Sequence, residues 1–220
     1  MKRKRLIAAI LAVAAALTMS ACGDVEFSPV QGGLYVNDDH TLKSSYVEDF
    51  SGEGLNLDEL KSMAQAEIAA YNQEKAGLNY YSAQQLGEEQ EGTVLPISIE
   101  NIAMDEKDTN NLVAILDYAT AADYVTYNSD DIGTNGGTTL SVGTVDQSPT
   151  AIEGSFVTIK GKPVEISEIM EKGEYHVIYL DFAATVTVNG TVKYISTNVS
   201  CLTKNTVTTQ AGQGSFIIFK

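Results

Sequence analysis

The feature that narrows the fold most is the hydrophobic period after residue 138. Apolar and polar residues alternate there in short runs bounded by Gly, Asn, Asp and Ser, the pattern of half-buried β-strands. Strands are expected at about 138–145, 155–160, 174–181, 184–188, 191–196, 198–203 and 215–219, with a helical turn or two over Ile166–Glu171. Asn189-Gly190 lies between Thr185-Val186-Thr187-Val188 and Thr191-Val192-Lys193-Tyr194-Ile195. That dipeptide predicts a type I′ hairpin joining the two runs.

The stronger helical signals fall before residue 130. Leu57, Leu60, Ala64, Ile68 and Tyr71 recur at helical spacing, Asn56 and Glu59 form a capping-box-like start, and Gly77 supplies a stop. These predict an amphipathic helix over Leu57–Ala76. Leu34–Val36 and Leu42–Phe50 read as a hairpin around Asn37-Asp38-Asp39-His40-Thr41. Val94–Met104 and Leu112–Tyr118 read as strands, Thr120 and Asp123 cap a short helix through Tyr127, and 128–137 reads as a loop. Helices early and strands late argue for an α+β fold, with an N-terminal β-hairpin and long helix and an antiparallel β-rich C-terminal half, rather than a parallel βαβ sheet. One domain over 34–220 is the default at this length, with a second lobe starting near residue 150 left open.

The N-terminus carries an address. Lys2-Arg3-Lys4-Arg5 precedes Leu6–Leu17, an unbroken apolar run of 12 residues. As a helix that run rises only about 18 Å, against roughly 30 Å of bilayer hydrocarbon, so it fits a signal-peptide core better than a membrane span. Met19-Ser20-Ala21-Cys22-Gly23 follows and resembles the bacterial lipobox. The resemblance implies cleavage after Ala21, a diacylglyceryl thioether on Cys22, and an extracytoplasmic, lipid-anchored protein. Residues 1–21 are then the signal peptide and 22–33 a lipidated tether.

Residues 1–21 hold four basic residues and no acidic ones, so their removal takes the net charge from −15 to −19. Such a domain is a poor partner for nucleic acid or anionic lipid headgroups and a better one for cations and basic partners. With Cys22 acylated, Cys201 is the remaining thiol. Alternation places it with Ile195 and Val199 as a buried strand cysteine.

Three stretches carry a wider resemblance. They are Leu34–Thr41 running through Val47-Glu48-Asp49-Phe50 into Leu57–Lys61, then Ala119–Tyr124, and the terminal Phe216–Lys220. Together they resemble a group of uncharacterised lipoproteins of Gram-positive, clostridia-like bacteria. In that group a lipobox signal precedes a hairpin, a long acidic helix and a β-rich half. His40 stands where such a turn more often has Gly. The resemblance implies localisation and fold class, and no activity.

Candidate chemistry is sparse. The chain has two histidines and no Gly-x-Ser-x-Gly, His-Glu-x-x-His, Walker A or Gly-x-Gly-x-x-Gly motif. His40, beside Asp38 and Asp39, reads as part of a solvated turn with a metal site as its alternative. His176 alternates with Ile178 and Leu180 and reads as a partly buried strand histidine, with a catalytic base as its alternative. No catalytic residue and no cofactor is assigned. Calcium is the metal considered, because hard cations take several oxygens from a flexible loop. Its candidate ligands are Asp105, Asp108 and Asn110 in one loop, and Asn128, Asp130 and Asp131 in another. Neither loop follows the EF-hand register. Glu88-Glu89 reads as solvated loop charge, and Tyr80-Tyr81 as the most exposed aromatic pair.

The expected role is a membrane-anchored binding or envelope-accessory domain with a protein or envelope partner. A surface hydrolase acting on glycan or peptide through carboxylates or His176 is the alternative. A solute-binding lipoprotein of a transporter ranks lower.

Overall fold

The computed structural model describes residues 32–49, 56–86, 92–105, 111–134 and 137–220. The N-terminal address, Cys22 and most of the tether lie outside them. The fold is α+β and mostly β, built on two sheets. In chain order the strands are β1 (Gly33–Val36), β2 (Leu42–Asp49), β3 (Ile97–Met104), β4 (Asn111–Tyr118), β5 (Leu140–Thr144), β6 (Phe156–Thr158), β7 (Pro163–Val164), β8 (His176–Leu180), β9 (Thr185–Val188), β10 (Val192–Ser196), β11 (Ser200–Cys201), β12 (Thr206–Thr208) and β13 (Ser215–Phe219). One sheet has seven strands in the order β11-β12-β9-β1-β2-β4-β3, the other six in the order β5-β8-β13-β10-β6-β7. All pairings are antiparallel except β1 with β9. Segments from both sides of residue 150 enter both sheets, because β9 lies beside β1 and β5 beside β8.

One main core joins the sheets. Leu34, Val36, Val186 and Val188 from the first meet Ile178, Leu180, Ile217 and Phe219 from the second. Each such side chain contributes about 1.5–3 kcal/mol on leaving water. All five residues of β13 are buried. Ile217 and Phe219 face the main core, while Phe216 and Ile218 face a second cluster with Ile169 of α4 (Ile166–Met170). A strand covered on both faces needs a continuous apolar run, which Phe216-Ile217-Ile218-Phe219 provides.

Helix α1 (Leu57–Ala76) covers the β3–β4 end of the larger sheet. Asn56 accepts a hydrogen bond from the Asp58 N–H at its start, and Gly77 ends it in a left-handed conformation (φ 71°). Along β4, Leu112 and Ala114 pack with Ala64 of α1, and Leu116 and Tyr118 continue into the main core. Helix α2 (Ala121–Tyr127) starts at Thr120, whose hydroxyl accepts from the Asp123 N–H. It lays Tyr124 against Tyr118 and Phe182.

Three expectations are corrected. Asn189-Gly190 does not close a hairpin, since β9 pairs with β1 and β12 whereas β10 pairs with β13 and β6. The dipeptide carries the chain from one sheet to the other. Gly190 is required there because a Cβ would sit 2.8 Å from the Lys220 carbonyl oxygen. Residues 129–134 form a short helix, α3, where a loop is expected. The strand expected at 198–203 shrinks to β11, and β12 lies beyond it in an unexpected position.

Candidate functional site

The two histidines of the chain meet at one end of the sandwich. His40 sits in the β1–β2 turn and His176 opens β8. His40 Nε2 lies 3.1 Å from His176 Nδ1, with the rings edge-to-face at a centroid separation of 5.3 Å. One facing nitrogen carries a proton and the other offers its lone pair. The contact ties the hairpin turn of the larger sheet to the first residue of β8 in the smaller.

The turn is built to hold His40 still. Asn37 and His40 N–H groups donate to the Thr41 and Asn37 carbonyls. The Asp39 carboxylate accepts from both the N–H and the hydroxyl of Thr41, at 3.0 and 2.6 Å. Those bonds, the hydroxyl first, hold the Asp39 carboxyl below its ordinary range. His40 itself takes φ 71°, the only positive φ at a non-glycine residue among those described. On the other side the His176 ring stacks on Phe219, with centroids 4.9 Å apart. Burial, then the neighbouring His40, lowers the His176 pKa, and the charge of Asp38 opposes them.

Of the calcium candidates, Asn128 and Asp105 are described. The Asn128 amide is committed inside the fold: its oxygen accepts from Tyr46 at 2.7 Å, and its nitrogen donates to the Tyr118 hydroxyl and the Tyr124 carbonyl. Burial pushes the Tyr46 and Tyr118 hydroxyls well above their ordinary pKa. Asp105 follows β3, and its N–H donates to the Asn111 carbonyl. Asp108, Asn110, Glu88, Glu89 and the side chains of Asp130 and Asp131 lie outside the described residues. Among the described residues no group of three His, Cys, Asp or Glu is arranged to hold a metal ion.

Tyr80 and Tyr81 do not stand out as a platform. Both are half-buried, and Tyr81 packs on the main core. Their carbonyls are used by Asn72 and by the Ile99 N–H. The Cys201 thiol donates to the Thr203 carbonyl at 2.9 Å, and burial raises its pKa. A shallow apolar cleft opens where Leu60 and Ala64 of α1 approach Ile102 and Leu112.

Reading the sequence alone missed the pairing of His40 with His176. They are 136 residues apart, and each sits in a locally ordinary setting. The available signal was a histidine at a turn position suited to glycine. Compared with protein-family models, curated proteins and solved structures, the chain matches none.

Proposed function

We propose that the protein is a bacterial lipoprotein whose mostly β domain works as a binding or envelope-accessory module on the outer side of the cell membrane. The observation that carries this reading is the order of the N-terminal segments: basic cluster, short apolar run, then Ser20-Ala21-Cys22. A lipid on Cys22 anchors the chain, and strand β1 begins 11 residues later at Gly33. A tether of that length reaches at most about 35–40 Å, so the domain works close to the surface. No helix among the described residues is long and apolar enough to cross a membrane. The resemblance to clostridia-like lipoproteins agrees with this, as does the arrangement of an N-terminal hairpin and long helix ahead of a β-rich half. A single acyl-bearing residue gives stable anchoring when it carries more than one chain, which a diacylglyceryl group supplies.

Metabolic labelling with an alkynyl fatty acid, followed by mass spectrometry of the N-terminal peptide, tests the anchor. Wild-type chain begins at a lipid-modified Cys22, and Cys22→Ala takes up no label. An unmodified Cys22 in membrane-derived protein overturns the reading. Crosslinking on intact cells then identifies what the domain touches.

A further inference from the structure

The chain's two histidines come from different sheets, yet their facing nitrogens are 3.1 Å apart. We propose that His40 Nε2 and His176 Nδ1 are the protein ligands of a divalent transition-metal site of the zinc class. A Zn–N bond is about 2.0–2.1 Å, so one ion reaches both nitrogens across 3.1 Å with an angle at the metal of roughly 100°, near the tetrahedral value. The ion lies off the line joining the nitrogens, so both rings turn about their side-chain bonds to aim their lone pairs at it. Imidazole nitrogen selects zinc, copper and nickel over calcium and magnesium, which take oxygen. The ligands proposed are therefore different residues from the acidic ones that sequence singles out.

Both ligands come from held elements. The hydrogen-bonded turn holds the His40 backbone, and the His176 ring stacks on Phe219. Binding uses neutral rings. The proton on one facing nitrogen transfers to the other nitrogen of the same ring, and no net proton is released. Two further positions on the metal remain for water or an incoming ligand, since no third His, Cys, Asp or Glu among the described residues joins the pair.

A second observation points to the imidazole of His40 itself. A histidine held at φ 71° costs about 1 kcal/mol that glycine would not. Non-glycine residues in this region cluster at ligand clamps and active sites. A turn needed only for its shape has a cheaper occupant. The inference rests on this pair and is independent of the lipid anchor.

Calorimetric titration of the full, untagged chain in detergent with zinc chloride tests it, at physiological salt with excess magnesium to occupy the acidic surface. One zinc binds per chain in the roughly micromolar range. Binding disappears in His40→Gly and in His176→Gln. His40→Gly suits the backbone of the turn, so its loss of binding is not a loss of folding, and it decides the matter alone if His176→Gln fails to fold. Failure of the wild type to bind zinc overturns the proposal. So does binding of equal strength in His40→Gly, which assigns the metal to surface carboxylates.

Discussion

Asn72 and Ile97 exchange two hydrogen bonds. The Asn72 side-chain nitrogen donates to the Ile97 carbonyl at 2.7 Å, and its oxygen accepts from the Ile97 N–H at 3.1 Å. One amide thus does for the first residue of an edge strand what a neighbouring strand would do. The same nitrogen also donates to the Tyr80 carbonyl at 2.8 Å. Helix α1 and the loop after it are thereby fastened along β3, where the Tyr81 carbonyl takes the Ile99 N–H. Long edges left open invite pairing with other chains.

Replacing Asn72 by Ala should destabilise the protein by about 3 kcal/mol, since it strands buried backbone groups at about 1–3 kcal/mol each. Urea unfolding measures this. Light scattering should show earlier aggregation, because the β3 edge is freed. A loss below about 1 kcal/mol would mean that water reaches Ile97 and satisfies it.

At His40, two substitutions separate backbone from side chain. Both Ala and Gly remove the imidazole and its contact with His176. Only Gly accepts φ 71° without a Cβ penalty. His40→Gly should therefore be more stable than His40→Ala by about 1 kcal/mol in metal-free buffer. Equal stability of the two would show that the turn relaxes out of the left-handed region.

Gly190 presents the opposite case, a glycine needed for space. A Cβ there would sit 2.8 Å from the Lys220 carbonyl oxygen and 3.3 Å from a Phe219 ring carbon. Lys220 and Thr191 also exchange backbone hydrogen bonds at 2.7 and 3.0 Å. The neighbour is therefore backbone held in place, and it cannot swing aside. Gly190→Ala should cost about 1–3 kcal/mol, read as a lower thermal midpoint. Conversion to Asn-Ala at a true two-residue hairpin would leave the β10–β13 bonds alone. Amide exchange at Ile195 and Ile217 should instead accelerate.

These residues show why part of the fold was legible and part was not. Thr120 and Asp123 announce the start of α2 because a cap is a local bond between residues three apart. The buried run Phe216–Phe219 announces β13 because burial on both faces imposes its own composition. Asn189-Gly190 misleads because glycine answers two demands, positive φ and close approach, and sequence does not say which. Strand partners are long-range. Nothing local to Thr185–Val188 says that β1, some 150 residues earlier, will lie beside it in parallel. The histidine pair fails to show for the same reason, since it exists only once the two sheets are stacked.

Asp117 supplies the pH-dependent test. It lies on β4 with Lys43 Nζ at 3.1 Å, and Lys43 also contacts Glu100 at 2.6 Å. Burial raises the Asp117 pKa above its ordinary 3.8, and the attraction of Lys43 only partly offsets this. A carboxyl whose folded pKa is raised binds its proton more readily in the folded chain. Its stabilising contribution is full below about 3.8 and is lost as the pH rises through the folded value. The ionised group therefore lowers stability at neutral pH. Asp117→Asn keeps the shape, leaves Lys43 paired with Glu100 and carries no charge to bury. The variant should melt at or above the wild-type temperature at pH 7, and the difference should shrink toward zero as the pH falls below 3.8. Side-by-side thermal melts across that range measure it. A variant several degrees less stable at pH 7 would show that the ion pair with Lys43 outweighs the burial of the carboxylate.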